Sequence, residues 1–113
     1  MADYEFDNPL SRVLKVYGFI HPRDARKLEN EALREIENEM RTEFRQFGEV
    51  RYCHVVRPSE SKMGAEPGSV FIEFATPEAA QSAIHRMTGK RFDGKAIKLV
   101  EVPDDVFRAE LRI

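Results

Sequence analysis

Between Arg12 and Val102 the spacing of apolar residues changes from every second position to every third or fourth and back again, twice over. Each change of period is a change of secondary structure, because a strand shows alternate residues to one face and a helix every third or fourth. The run RVLKVYGF from Arg12 to Phe19 reads as a strand with Leu14 and Val16 inward and Lys15 and Tyr17 outward. From Asp24 to Phe47, the residues Leu28, Ala32, Ile36, Met40, Phe44 and Phe47 recur at helical spacing until Gly48 ends the run. Val50 to Val56 alternates again, with Cys53 and Val55 inward and Tyr52, His54 and Val56 outward. Pro58 stops it, and residues 57–67, rich in Ser, Gly and Pro, read as a mobile polar loop.

The strand from Gly68 to Phe74 turns Val70, Ile72 and Phe74 into a core and Ser69, Phe71 and Glu73 to the opposite face. Thr76 then caps a helix that begins at Pro77 and lines Ala80, Ala83, Ile84 and Met87 along one side before Gly89. Phe92-Asp93-Gly94 turns the chain into a last strand, Lys95 to Val102, with Ile97 and Leu99 inward. The order βαββαβ predicts an α+β, ferredoxin-like domain over residues 12–102: a four-stranded antiparallel sheet with two helices on one face. Residues 1–11 read as a flexible lead-in. Residues 103–113 read as a C-terminal extension able to form a helix, with Val106, Phe107 and Leu111 on its apolar side.

A chain of 113 residues, 42% hydrophobic, suits one such domain. Its 18 basic and 20 acidic residues give a net charge of -2, which does not favour generic phosphate binding. The single cysteine, Cys53, excludes an internal disulfide, suits a reducing compartment and reads as core. The first residues, Met1-Ala2-Asp3-Tyr4-Glu5, lack the features of a signal peptide, and no apolar run is long enough to span a bilayer, so a soluble intracellular protein is expected. His21, His54 and His85 have no partners at metal-ligand spacing, and the glycines form no phosphate loop. No enzyme activity, cofactor or metal is expected.

The outward face of the sheet carries the first functional signal. The element order, with LKVYGF and PGSVFIEF on the two central strands, resembles the RNA-recognition motif family over roughly residues 12–102. Members of that family stack unpaired bases on sheet aromatics. Here Lys15 stands where the first signature usually has a ring, Pro67 replaces a basic residue, Ser69 replaces a second ring, and Phe71 keeps the third. Each stacked base is worth about 1–3 kcal/mol, so two missing rings forfeit roughly 2–6 kcal/mol. Two readings of the face remain. Lys15, Tyr17, His54 and Phe71 form a reduced single-stranded RNA reader, or Phe71 packs beneath Phe107 or Val106 of the C-terminal extension.

The second signal lies on the helices. Glu35, Glu39 and Glu43 recur every four residues and make a carboxylate rail on a helix that also holds Glu29, Glu31 and Glu37. After the second helix comes Thr88-Gly89-Lys90-Arg91-Phe92. A depleted sheet, an acidic first helix and this loop together resemble the U2 auxiliary factor homology motif, the protein-binding branch of the family. The resemblance implies a loop aromatic at Phe92 beside a pocket between the two helices, which admits a tryptophan from a partner splicing factor. Basic residues preceding that tryptophan would meet Glu35, Glu39 and Glu43. The family's loop arginine is Lys90 here, a point charge without the planar fork, and Arg91 is the other candidate for its role. Phe92 also has a purely structural reading, as a cap on the core. What the resemblance implies overall is a monomeric, non-catalytic, nuclear domain of the pre-mRNA splicing machinery, with RNA binding weak.

Overall fold

β1 (Val13–Tyr17) runs through the middle of the sheet in the computed structural model, which describes residues 11–112. It pairs antiparallel with β3 (Val70–Phe74) on one side, Leu14 opposite Ile72, and with β6 (Lys98–Val102) on the other, Val16 opposite Leu99. β2 (Val50–Val55) closes the far edge against β3, giving the order β2-β3-β1-β6 in a four-stranded antiparallel sheet. Helices α2 (Asn30–Phe44) and α3 (Pro77–Met87) cover one face, and the predicted ferredoxin-like α+β architecture is the one observed. Leu14, Val16, Cys53, Val55 and Ile72 meet Leu33, Met40 and Phe44 of α2 and Ala80 and Ala83 of α3 in a dry core. Thr76 caps α3 by accepting a hydrogen bond from the Ala79 N–H, and Pro77 occupies its first turn.

The first helical region is broken where one helix was expected. A single turn, α1 (Pro22–Ala25), is capped by His21 Nδ1, which accepts from the Arg23 N–H at 3.0 Å. α2 then begins at Asn30, and a tight turn at Arg45–Phe47 follows its end. Leu33, absent from the expected apolar series, is fully buried, whereas Leu28 is 36% exposed. A helix turns about 100° per residue, so Leu33 lies about 20° from Met40 while a strict step of four drifts about 40° each time. The series traced in fours through Ala32 and Ile36 therefore runs along the edge of the core face, where both are half-buried, and Leu28 lies before the helix begins. At the other end, Gly48 has φ +156°, and a Cβ there would lie 2.6 Å from the Ala79 Cβ, so only glycine lets α2 end this close to α3.

The face of β3 expected to be open is covered. Ser69, Phe71 and Glu73 are only 3%, 1% and 6% exposed. The cover is the C-terminal extension: α4 (Asp104–Val106) runs into a π-helical turn at Phe107–Leu111, which buries Phe107 and Leu111 in a second apolar cluster with Val13, Val56, Ala65, Phe71 and Val102. Val106, expected on the apolar side, is exposed instead, because the wider turn carries Phe107 and Leu111 to the sheet. Asp104 fastens the start of this segment: its Oδ1 accepts from the Ser11 hydroxyl at 2.9 Å and the Arg12 N–H at 3.0 Å, and its Oδ2 pairs with Arg12 Nε at 3.2 Å. Ser11, assigned to the lead-in, is buried and also donates to the Val102 carbonyl; the rest of the lead-in lies outside the described residues.

Residues 57–67 are tied down, not a plain mobile loop. A tight turn forms at Pro58–Glu60, Arg57 Nη1 donates to Glu37 Oε1 at 3.1 Å and to the Val55 carbonyl at 2.7 Å, and Ala65 is buried. The expected single last strand is also divided: β4 (Arg91–Phe92) and β5 (Lys95–Ala96) make a small hairpin before β6.

Candidate recognition site

That hairpin sets the geometry of the helical side. Its two-residue turn is Asp93-Gly94, with φ of +53° and +79°, the pairing for which Asp-Gly is suited because both positions need positive φ. Arg91 Nη1 donates to the Gly94 carbonyl at 3.1 Å. Phe92 is half-buried with its ring edge-on to Phe19, centroids 5.3 Å apart at 70°. Both readings of Phe92 thus have a foothold: it braces the hairpin on Phe19 and still shows part of its ring.

Glu35, Glu39 and Glu43 are exposed along α2, and among the described residues none pairs with a cation; Glu43 accepts only from Gln46 Nε2, at 3.1 Å. Because steps of four rotate about 40° each, the rail winds slowly around the helix. Its carboxylates therefore border successive concavities. Glu43, Phe47, Met87, Lys90 and Arg91 help line a groove of about 690 Å³ between the end of α2 and α3. Glu39, Thr42, Glu43, Arg91 and Phe92 border the next, of about 500 Å³. Glu35, Glu39 and Phe92 border a third, of about 510 Å³, on the far side of the hairpin. Shared residues join the three into one trough. The six residues singled out from the sequence on this side are brought together, and Thr42, Gln46, Phe47, His85 and Met87 join them, assembled from parts of the chain too far apart for any local pattern to link.

The sheet side contrasts with this. Phe71 is sealed beneath Phe107 at a centroid distance of 5.8 Å, and Tyr52 meets Phe107 edge-on at 5.4 Å with the Arg112 guanidinium over its ring, 4.9 Å from the centroid. Lys15 Nζ pairs with Glu66 at 2.9 Å and lies 5.1 Å from the Tyr17 ring centroid. His54 sits between two carboxylates, Nε2 2.7 Å from Glu60 and Nδ1 3.5 Å from Glu37. Burial alone would raise the Glu60 carboxyl, but hydrogen bonds from His54 and the Arg57 N–H hold it below its ordinary range. Phe71 is closed off by the C-terminal segment while Lys15, Tyr17 and His54 stay half-buried, so of the two readings of this face the packing of Phe71 beneath Phe107 is the one observed. Burial, helped by Glu37 and opposed by Arg41, pushes the Cys53 thiol up to about 12, which fits its place in the core.

The fold and its two surfaces define a small α+β domain with a covered sheet and an open helical side. The model of the RNA recognition motif family matches residues 36–98, more than half of the chain, and the chain belongs to that family of non-catalytic RNA-binding domains. The matched segment starts within α2, so β1 and the C-terminal cover lie outside it.

Proposed function

We propose that this domain recognises a peptide through its helical side, and that the peptide carries a tryptophan preceded by arginines and lysines. The observation that carries this reading is the contrast between the faces: the stacking ring Phe71 lies under Phe107, while the trough bordered by Glu39, Glu43 and Phe92, with Arg86, Lys90 and Arg91 on its interhelical wall, is open. A tryptophan seated between α2 and α3 removes about 150–250 Å² from water, which at about 25 cal/mol per Å² is a gross gain of about 4–6 kcal/mol. Glu35, Glu39 and Glu43 steer and orient the basic residues more than they add affinity. Resemblance to the U2 auxiliary factor homology motif supports a partner among splicing factors and a nuclear place of action.

The chain has no tryptophan, so fluorescence excited at a peptide tryptophan reports the ligand alone. Titration into an Arg/Lys-rich tryptophan peptide should shift and enhance that emission, with Phe92→Ala weakening binding at least tenfold. An unchanged spectrum at high protein concentration removes the proposal.

Family membership favours a second reading, single-stranded RNA on the sheet face, which requires the C-terminal segment to leave. Phe71-dependent, salt-sensitive binding of oligouridine by the intact chain would support it over the first.

A further inference from the structure

The third concavity of the trough lies beyond the hairpin from the groove between the helices, and its floor is apolar. Phe19, Ile20, Leu28, Ile36 and Phe92 supply that floor, with Leu28 36% exposed and above any role in the core. Its rim is acidic: Asp24, Glu35, Glu39 and Asp93 border it, with Lys95 as the one lysine there. None of the four carboxylates pairs with a cation among the described residues.

From these features we propose that the peptide bound by this domain carries a second apolar anchor, a leucine-like side chain that fills this concavity, joined to its tryptophan by basic residues. The inference rests on the peptide reading given above. An apolar floor ringed by uncompensated carboxylates fits an apolar side chain with cations on both flanks, because the cations meet the rim as the side chain leaves water. The chain's own first ten residues are a poor occupant: they hold Asp3, Glu5 and Asp7 and no Lys or Arg, so their charge matches that of the rim. The spacing of the anchors follows from α2. The floor is level with Ala32 and Ile36 and the interhelical groove with Glu43 and Phe47, a rise of about 16 Å along the helix. An extended peptide covers that distance in about five residues. The second anchor therefore falls about five positions before the tryptophan.

The test compares two peptides by tryptophan fluorescence, Leu-Arg-Lys-Arg-Lys-Trp and Ser-Arg-Lys-Arg-Lys-Trp, each against the full chain and its Leu28→Ser and Leu28→Met variants. The leucine peptide is expected to bind about tenfold more tightly, the advantage vanishing in Leu28→Ser and persisting in Leu28→Met. Leu28 is exposed outside the helices, so both variants keep the fold, which far-ultraviolet circular dichroism verifies. Equal affinity for the two peptides, or a leucine advantage that survives Leu28→Ser, overturns the second anchor while leaving the tryptophan site standing. If neither peptide binds, the peptide reading falls and this inference falls with it.

Discussion

Replacing Phe107 by alanine tests the covered sheet directly. The ring is fully buried, edge-on to Tyr52 and tilted against Phe71. Full burial of such a side chain is worth about 1.5–3 kcal/mol, and each aromatic contact adds about 0.5–1.5 kcal/mol. Phe→Ala changes in cores cost about 3–5 kcal/mol, but the segment that carries Phe107 sits at the end of the chain. Its loss is capped by the free energy with which residues 104–112 dock, since beyond that point they detach as a unit. We expect a loss of about 3 kcal/mol or the docking free energy, whichever is smaller. Urea unfolding measures the global part. Hydrogen exchange measures the local part, as faster exchange at the Phe107 and Arg112 amides, which donate to the Pro103 and Phe107 carbonyls. Oligouridine binding should rise by about 5-fold to 150-fold at most, because one uncovered ring contributes about 1–3 kcal/mol. Unchanged stability together with unchanged exchange would falsify the account of the cover.

Glu39→Lys and Glu43→Lys should each weaken the basic tryptophan peptide several-fold and flatten its salt dependence, while stability stays within about 0.5 kcal/mol because both side chains are exposed; an affinity loss that persists unchanged at 1 M salt would contradict the steering role. Asp104 gives a pH signature: burial alone would raise its carboxyl, but bonds from the Arg12 N–H, the Ser11 hydroxyl and the Arg12 guanidinium together hold it below its ordinary value. With the folded value depressed, its contribution is present above the unfolded value near pH ~4 and is lost as pH falls through the folded one. Acid titration followed at Tyr52 and Phe107 by NMR should therefore show the cover loosening below pH ~4, and Asp104→Asn should remove that step. Cys53, buried and shifted up to about 12, should resist a thiol reagent at pH ~8 in the folded protein and react at once in denaturant, so prompt reaction without denaturant contradicts its place in the core.

The strands and helices were legible because local periodicity reports which face of an element is apolar, and that face is what the core fixes. The alternation around Phe71 said as plainly that Ser69 and Glu73 belong to the other face, yet could not say that this face is buried too. Its cover comes from residues about thirty-five positions later, and a π-helical turn chooses Phe107 and Leu111 over Val106. The rail was legible from its spacing by four, and Phe92 from the loop around it. The trough beyond Phe92 was not, because it joins Phe19 and Leu28 to a hairpin some seventy positions away. Leu33 lies off that series for a simpler reason: steps of four ignore the rotation that a helix accumulates.

Glu73, in the middle of the sheet, has Arg108 at 3.6 Å and Arg112 at 3.8 Å, both donated by the C-terminal segment. If that segment moved away, the sheet would present a carboxylate stripped of its counterions beside the one stacking ring it retains. A polyanion approaching the bared surface would meet that charge at close range, whereas a cationic or neutral guest would not. The same arginines that close the surface thus mask a charge, and what a polyanion gained from the opened ring would be set against the repulsion of Glu73.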